Sequence, residues 1–267
     1  MRLNSKWLAL LIILAVLPLS VGCGFMNKLE ARDNVNKGVK MFTDQKYDAA
    51  AQYFTKALEM DPNFMIAKVY LATAYSYQFV PGSTDPKSEE MANKAIETFG
   101  QVVDQAAPNS KTRKEAMLSI ASMNYQLKRY DQSKEWCNKL LAEDPQNAEA
   151  HYRIAVMDYD DVLEKTGIQG ENIEFLSAEE KAKAIANVDE GLFNIEKAIQ
   201  IRPEYFDAMQ YQNLLWREKA KFEKDEKVKA ELIRKALQVS QKALQLQRKQ
   251  EEIDAANKSK IAVKKKE

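Results

Sequence analysis

The segment YDAAAQYFTKALEMDPN, from Tyr47 to Asn63, constrains the fold of this chain more than any other. Ala50, Phe54 and Ala57 recur at three- and four-residue spacing, which predicts an amphipathic helix with one apolar face. Asp48 is placed to cap its start. An isolated helix of this length is marginal in water, so the pattern predicts a second helix that covers this face.

Composition favours a chain that is almost entirely helical. Of 267 residues only 8 are Gly and 7 are Pro, while 30% are charged. The formal net charge of +1 gives no support to nucleic-acid binding. The sequence therefore predicts an all-α protein whose partners are not nucleic acids.

The helix pattern recurs along the chain, and each copy is closed by a proline. The closing prolines, at positions 62, 108, 145 and 203, are separated by 46, 37 and 58 residues. The longer intervals are explained by two insertions, near 79–87 and 161–176, each between the two helices of its copy. For the second insertion, GIQGENIEFL, both a mobile flap and a docked loop are open interpretations.

The 34 residues that end at Asn63 resemble the tetratricopeptide repeat, a helix-turn-helix closed by a proline. Gly38 matches the small residue of the family's first helix. Ala50, Phe54, Ala57 and Pro62 match the series of its second helix and its end. The resemblance implies a right-handed superhelical solenoid of about five helix-turn-helix units over residues 31–254. The expected repeats cover residues 31–64, 65–110, 111–147, 148–205 and 206–254.

The first residues have the features of an export signal. Arg2 and Lys6 precede an apolar run from Trp7 to Leu17, which is shorter than the about 20 residues that span a bilayer. The following LSVGC resembles the lipobox of bacterial lipoproteins. This resemblance implies a signal peptide over residues 1–22, a lipid on Cys23 and a polar tether over 23–30. The alternative is cleavage nearby, which leaves a free thiol.

A lipidated protein of this kind is expected in the cell envelope. Gly24 follows the cysteine where an Asp would signal retention in the inner membrane, so we expect the outer membrane, with the protein facing the periplasm. With Cys23 lipidated, Cys137 is unpaired and lies on the apolar face of a predicted helix. The Lys-rich residues 255–267 are predicted to be disordered, and attraction to acidic lipid headgroups is the alternative.

The residue types that carry most enzyme chemistry are scarce. His151 is the single histidine, and no cysteine lies close to it in the sequence, so neither a metal centre nor a histidine-based nucleophilic site is indicated. Acid pairs such as Glu179-Glu180 have the positions of helix-end or solvated residues. We expect no enzymatic activity, no metal and no cofactor.

In proteins of the tetratricopeptide family the first helix of each repeat lines a concave groove. Carried over to this chain, that geometry implies an apolar and aromatic partner-binding groove, without the basic side chains of a carboxylate clamp. The alternative is that these tyrosines pack between repeats. The expected lining residues are Val35, Val39, Phe42, Val69, Thr73, Tyr77, Leu118, Ser122, Tyr125, Tyr152, Val156 and Tyr159.

These features together predict a lipid-anchored, non-enzymatic scaffold of the bacterial envelope. Its groove is expected to hold a segment of another envelope protein, with an assembly or secretion role as one possibility. The alternative is a lipoprotein that binds a small ligand and serves an envelope transporter. The two differ in the shape of the site, because a peptide groove is open whereas a ligand pocket is enclosed.

Overall fold

A computed structural model describes the backbone of residues 5–264 and the side chains of residues 24–253 and 255. Within this part the chain forms ten α-helices and one 3-10 helix, with no strand. The first five helices are α1 (Ser5–Thr43), α2 (Tyr47–Met60), α3 (Met65–Ser76), α4 (Pro86–Gln105) and α5 (Lys111–Gln126). The others are α6 (Tyr130–Glu143), α7 (Ala148–Thr166), α8 (Ala178–Ile201), α9 (Phe206–Lys221) and α10 (Glu226–Lys264), with the 3-10 helix at Ile173–Phe175. The all-α prediction is confirmed.

The chain divides into two compact units, Met1–Lys128 and Arg129–Glu267. In the N-terminal unit α2 packs against α1 and α3, and α4 packs against α3 and α5. In the C-terminal unit α7 packs against α6, α8 and α9, and α9 packs against α10. Each unit is thus built from consecutive antiparallel helices, as short connections between helices dictate.

The core of the N-terminal unit is made by the predicted face of α2. Phe54, Ala50 and Ala57 are fully buried against Ala31 of α1 and other apolar residues of α1 and α3. The Phe54 ring occupies the space that a side chain on Gly38 would need, since an added Cβ would lie 2.4 Å from the ring. Glycine at position 38 is therefore required by the close approach of α1 and α2.

The core of the C-terminal unit follows the same arrangement of small and large residues. Ala155 and Val162 of α7, Val188 and Ile195 of α8, and Leu215 of α9 are almost wholly buried in one cluster. Gly191 lets α8 approach α9 closely, because a Cβ added at this position would lie 2.9 Å from the Leu215 side chain of α9. Small residues at these crossings set the distance between helices, and the larger side chains fill the rest.

Helix α2 begins and ends as predicted, but Asp48 does not cap it. The N-cap position is Lys46, which makes no side-chain capping bond. Asp48 lies in the first turn, where its carboxylate accepts a hydrogen bond from Gln52. Its negative charge stabilises the helix through the positive end of the helix dipole. Side-chain caps do occur at α4, α5, α7 and α8, and α8 has a full capping box at Ser177 and Glu180.

Helix α7 is longer than the sequence indicated. The insertion was expected from residue 161, yet the helix continues to Thr166 because Val162 and Thr166 extend its buried face. Gly167 ends it with a φ of +78°, a conformation that favours glycine. The adjacent acids Asp160 and Asp161 resemble a helix end in sequence, but they lie inside the helix.

The shortened second insertion, residues 167–177, is docked on the C-terminal unit. The Lys221 ammonium donates to the Gly167 carbonyl at 2.8 Å, and the Asn172 amide donates to the Thr166 carbonyl at 3.0 Å. Glu218 is buried and accepts from Lys221 at 2.7 Å. The backbone of the loop is therefore tied to α9, although the side chains of Ile168 and Phe175 remain exposed.

Several predictions fall on parts of the chain that are not described. The side chain of Cys23 lies outside the described residues, as do the side chains of most of the Lys-rich tail. The signal peptide, the lipid and the disordered tail stay predictions, while the backbone of α10 is helical as far as Lys264. Over residues 24–253, whose side chains the structure describes, no helix has the length and apolar character needed to cross a membrane.

The contact between Gly38 and Phe54 predicts that Gly38→Ala lowers stability. The new methyl group must displace the Phe54 ring, and overpacking of this kind costs about 1–3 kcal/mol. Gly100→Ala is the matched control, because this helical glycine has open space around it and alanine there should stabilise by about 0.5–1 kcal/mol. Thermal or urea unfolding followed by circular dichroism measures both. Equal melting of the two variants would show that the ring moves without cost.

Candidate functional site

A groove of about 380 Å³ lies on the N-terminal unit between the first helices of two successive repeats. We call it the α3–α5 groove. It is lined by Thr73, Ser76, Tyr77, Phe79, Phe99, Ser119, Ser122, Met123 and Gln126. None of these side chains carries a charge, and the set combines aromatic rings with hydroxyl and amide groups.

The groove has an apolar floor and an aromatic wall. Phe99, from α4, and Met123, from α5, are nearly buried and close the bottom. Tyr77 follows the end of α3 and is 58% exposed. Phe79 comes from the first insertion and is part of the lining. The arrangement leaves apolar surface accessible to a partner, at low cost in side-chain entropy because the rings are rigid.

Tyr77 is held in place by two other rings. The ring centroids of Phe42, Tyr47 and Tyr77 are each 5.1 Å from one another, and Phe42 meets the other two edge to face. Contacts of this geometry contribute about 0.5–1.5 kcal/mol beyond the buried area. Tyr77 is therefore a positioned ring at the mouth of the groove, supported by the first repeat.

The hydroxyl groups of the groove are engaged with their own helices. Thr73 Oγ1 donates to the Val69 carbonyl at 2.7 Å, and Ser76 Oγ donates to the Thr73 carbonyl at 2.8 Å. Ser119 Oγ donates to the Glu115 carbonyl at 2.9 Å. A hydroxyl has one proton and two lone pairs, so each of these groups can still accept a hydrogen bond from a ligand.

The structure brings together only part of the residue set expected from the sequence. Thr73, Tyr77 and Ser122 lie in the α3–α5 groove. Val35 and Val156 are buried in the two cores, and Phe42 packs beneath Tyr77. Partly buried residues outside the groove lining are Val39, Val69, Leu118, Tyr125, Tyr152 and Tyr159.

Six lining residues were not among those expected. Ser76, Ser119, Met123 and Gln126 lie one helical position from predicted residues, so a wider face of each first helix would have included them. Phe99 belongs to a second helix and Phe79 to an insertion. The repeat pattern alone carries no signal for either of these.

In the C-terminal unit the expected residues Tyr152 and Tyr159 pack on other tyrosines. Tyr152 and Tyr159 each lie 5.6 Å from Tyr211, and Tyr152 lies 5.0 Å from Tyr205. Burial, with Tyr211 and Asp207 nearby, raises the pKa of Tyr152 to about 12. These rings pack against the core of their unit.

A larger cavity, of about 630 Å³, lies between α2 and α4. Its rim carries both signs of charge, including Lys56, Glu59, Lys87 and Glu90. Lys94 pairs with Glu90 at 2.7 Å. Long, exposed charged side chains that pair with each other define a solvated surface more than a binding site, so the smaller, uncharged groove is the stronger candidate.

His151, the single histidine, and Cys137 both have structural roles. The His151 ring nitrogens lie 2.8 Å from Asn194 Oδ1 and 3.3 Å from the Pro145 carbonyl. Cys137 is fully buried, and burial raises the pKa of its thiol to about 12, so the nucleophilic thiolate is scarce. Among the described residues no cluster of three or more potential ligands for a metal occurs.

A buried charged group joins three helices of the C-terminal unit. Asp158 of α7 is fully buried and forms an ion pair with Lys134 of α6. Lys134 also donates to Glu190 of α8 at 2.9 Å. Burial raises the pKa of Asp158 to about 7, although Lys134 opposes this shift. Burial acts to lower the pKa of Lys134, but the carboxylates outweigh it and raise that pKa.

Comparison with known proteins identifies the repeat. The tetratricopeptide repeat family model matches residues 42–64 and 114–147. No curated protein sequence matches the chain significantly.

Solved structures with the same fold cover most of the chain. A crystal structure of MamA protein aligns over 84% of this chain and 94% of its own, with 19% identity and a TM-score of 0.56. MamA from Desulfovibrio magneticus RS-1 aligns over 83% and 97%, with 15% identity and a TM-score of 0.55. YrrB, described as a TPR protein with an unusual peptide-binding site, aligns over 85% and 95%, with 14% identity and a TM-score of 0.50. At these identities the likeness concerns the fold.

The buried Asp158 predicts a pH-dependent stability. The unfolded carboxyl titrates near 3.9, whereas the folded one titrates near 7. Between these values the folded chain holds a proton that the unfolded chain has released, so stability falls as the pH rises from about 4 to about 7. Urea unfolding across this range should show that fall for the wild type, with a flatter profile for Asp158→Asn. Parallel profiles would contradict the assignment.

Proposed function

We propose that the chain, in which residues 42–64 and 114–147 match the tetratricopeptide repeat family model, is a non-enzymatic scaffold that holds a segment of another envelope protein. The observation that carries this proposal is the α3–α5 groove, an open and uncharged surface with an apolar floor and a positioned tyrosine. Grooves of this kind bind extended or helical segments through apolar side chains, with a few polar groups that fix the register.

The chemistry of the described side chains favours binding over catalysis. The groove lining has hydroxyl groups, but it holds no carboxylate, lysine, thiol or imidazole that would activate them for attack on a substrate. The groups that carry such chemistry elsewhere, His151 and Cys137, are engaged in packing. A small-ligand lipoprotein needs an enclosed site, whereas Tyr77 at the mouth of this groove is more than half exposed.

We place the scaffold at the membrane through a lipid on Cys23. The support is in the sequence, in which a positively charged start and an apolar run precede LSVGC. A lipid at this position attaches the chain just before the first repeat, so the α3–α5 groove lies in the part of the chain nearest the anchor in sequence. A periplasmic face of the outer membrane suits a protein that holds another envelope component.

The anchor is tested by Cys23→Ala. Without the thiol no lipid can be attached, so the protein should move from the membrane fraction to the soluble fraction after cell lysis and centrifugation. A Cys137→Ala variant is the control, since it removes the buried thiol and leaves Cys23 in place. Membrane retention of the Cys23 variant at the wild-type level would contradict the anchor.

The groove is tested by photo-crosslinking in the native membrane. A photoreactive amino acid at position 77, which is 58% exposed at the groove mouth, should capture one discrete partner. The same amino acid at Gln101, an exposed position of α4 outside the groove, is the control and should capture none. Equal capture from the two positions, or capture only from position 101, would refute the groove as the binding site.

A further inference from the structure

We infer that the α3–α5 groove selects an uncharged segment that donates amide hydrogen bonds, with Asn or Gln side chains flanking one apolar anchor. This inference rests on the proposed scaffold function and names the chemistry of the segment it holds. It is carried by the hydrogen-bonding state of the lining groups, which restricts what they can offer to a ligand.

Three hydroxyls in the lining have no proton left to donate. Thr73, Ser76 and Ser119 each give their hydroxyl proton to a backbone carbonyl of their own helix, at 2.7–2.9 Å. Their remaining lone pairs can only accept. A ligand satisfies these oxygens by donating N–H or O–H groups. A ligand that presents only lone pairs is repelled, because its acceptor atoms and the hydroxyl oxygens both carry partial negative charge.

The amide of Gln126 adds a group of mixed character. Its Nε2 donates to Ser122 Oγ at 3.4 Å, a long contact at the limit of a hydrogen bond. The Gln126 carbonyl oxygen accepts, and the second amide proton donates. A carboxamide on the ligand matches this combination because it offers two donors and one acceptor, which a hydroxyl or a carboxylate cannot do.

Charged ligands are disfavoured for two separate reasons. A carboxylate brings only acceptors, and three hydroxyls of the lining can only accept. The donors left to it are the hydroxyls of Tyr77 and Ser122 and the amide of Gln126, without a cation to compensate. An ammonium or guanidinium group donates well, but the lining holds no carboxylate to offset the loss of its hydration. A neutral amide pays a much smaller desolvation cost than either ion.

The floor of the groove supplies the second half of the specificity. Phe99 is 6% exposed and Met123 is 4% exposed, and both close the groove beneath the polar groups. Tyr77 and Phe79 add ring surface at the side. One aliphatic or aromatic side chain inserted here is buried on several sides, while flanking amides reach the hydroxyls.

The test is a selection of random dodecapeptides, displayed on phage, against the purified full-length protein in mild detergent. We expect the bound peptides to be enriched in Asn and Gln next to Leu or Phe, and depleted in Asp, Glu, Lys and Arg. A selected peptide is then synthesised, and its affinity is compared with that of the same peptide carrying Glu in place of Gln. The Glu peptide should bind at least about tenfold more weakly, as expected for losing donors and gaining an unpaired charge.

Thr73→Val is the matched variant, since valine keeps the shape of threonine and removes the accepting oxygen. It should weaken the selected peptide about fivefold, the effect of one hydrogen bond. Thr43→Val is its control. Thr43 Oγ1 makes the same type of bond to its own helix, with the Val39 carbonyl at 3.0 Å, but lies outside the groove. That variant should bind like the wild type.

The outcomes separate this inference from the proposed function. Enrichment of acidic or basic residues, equal binding of the Gln and Glu peptides, equal binding by Thr73→Val, or no binder at all overturns the inference. If position 77 still captures a partner in the membrane, the scaffold function survives with a different ligand chemistry. If position 77 captures nothing, the scaffold function itself fails, whatever the peptides show.

Discussion

The contact between Phe54 and Gly38 is the constraint on which the N-terminal unit depends. An amphipathic helix as short as α2 is not stable alone, and its apolar face is covered only if α1 comes close. That approach requires a position without a side chain opposite a large ring. In the C-terminal unit Gly191 and Leu215 meet the same requirement between α8 and α9. In both units, therefore, a glycine on one helix faces a bulky side chain on the next helix and allows the two helices to pack closely.

How much of the fold could be predicted depended on local signals. Helix α2 was predicted correctly, because its segment has a complete apolar face and is closed by Asp61-Pro62. The end of α7 was not, since Asp160 and Asp161 resemble a helix end. Their effect is outweighed by Val162 and Thr166, which lie in the core. Tertiary burial overrides a local signal wherever a helix gains apolar contacts by continuing, and the sequence of one segment does not record those contacts.

The candidate site was predictable where it is made by repeat positions. Thr73, Tyr77 and Ser122 follow from the family resemblance, which assigns the groove lining to the first helices of the repeats. Phe79 and Phe99 enter from an insertion and from a second helix, so no period places them. The uncharged character of the groove is a property of the assembled set. The charged residues of α2 and α4 line a different cavity, and this separation depends on the packing of the helices.

The continuity of α1 has a mechanical consequence. This helix runs without interruption from Ser5 to Thr43, so the residues between the proposed lipid site and Gly38 are helical and not a loose tether. The 20 residues from Gly24 to Thr43 form a rod of about 30 Å, and one end of it is packed against Phe54. An anchor attached at the other end would act as a stiff arm. It would fix the height and tilt of the first repeat above the lipid surface, and a force on the captured partner would be transmitted to the membrane along the helix axis.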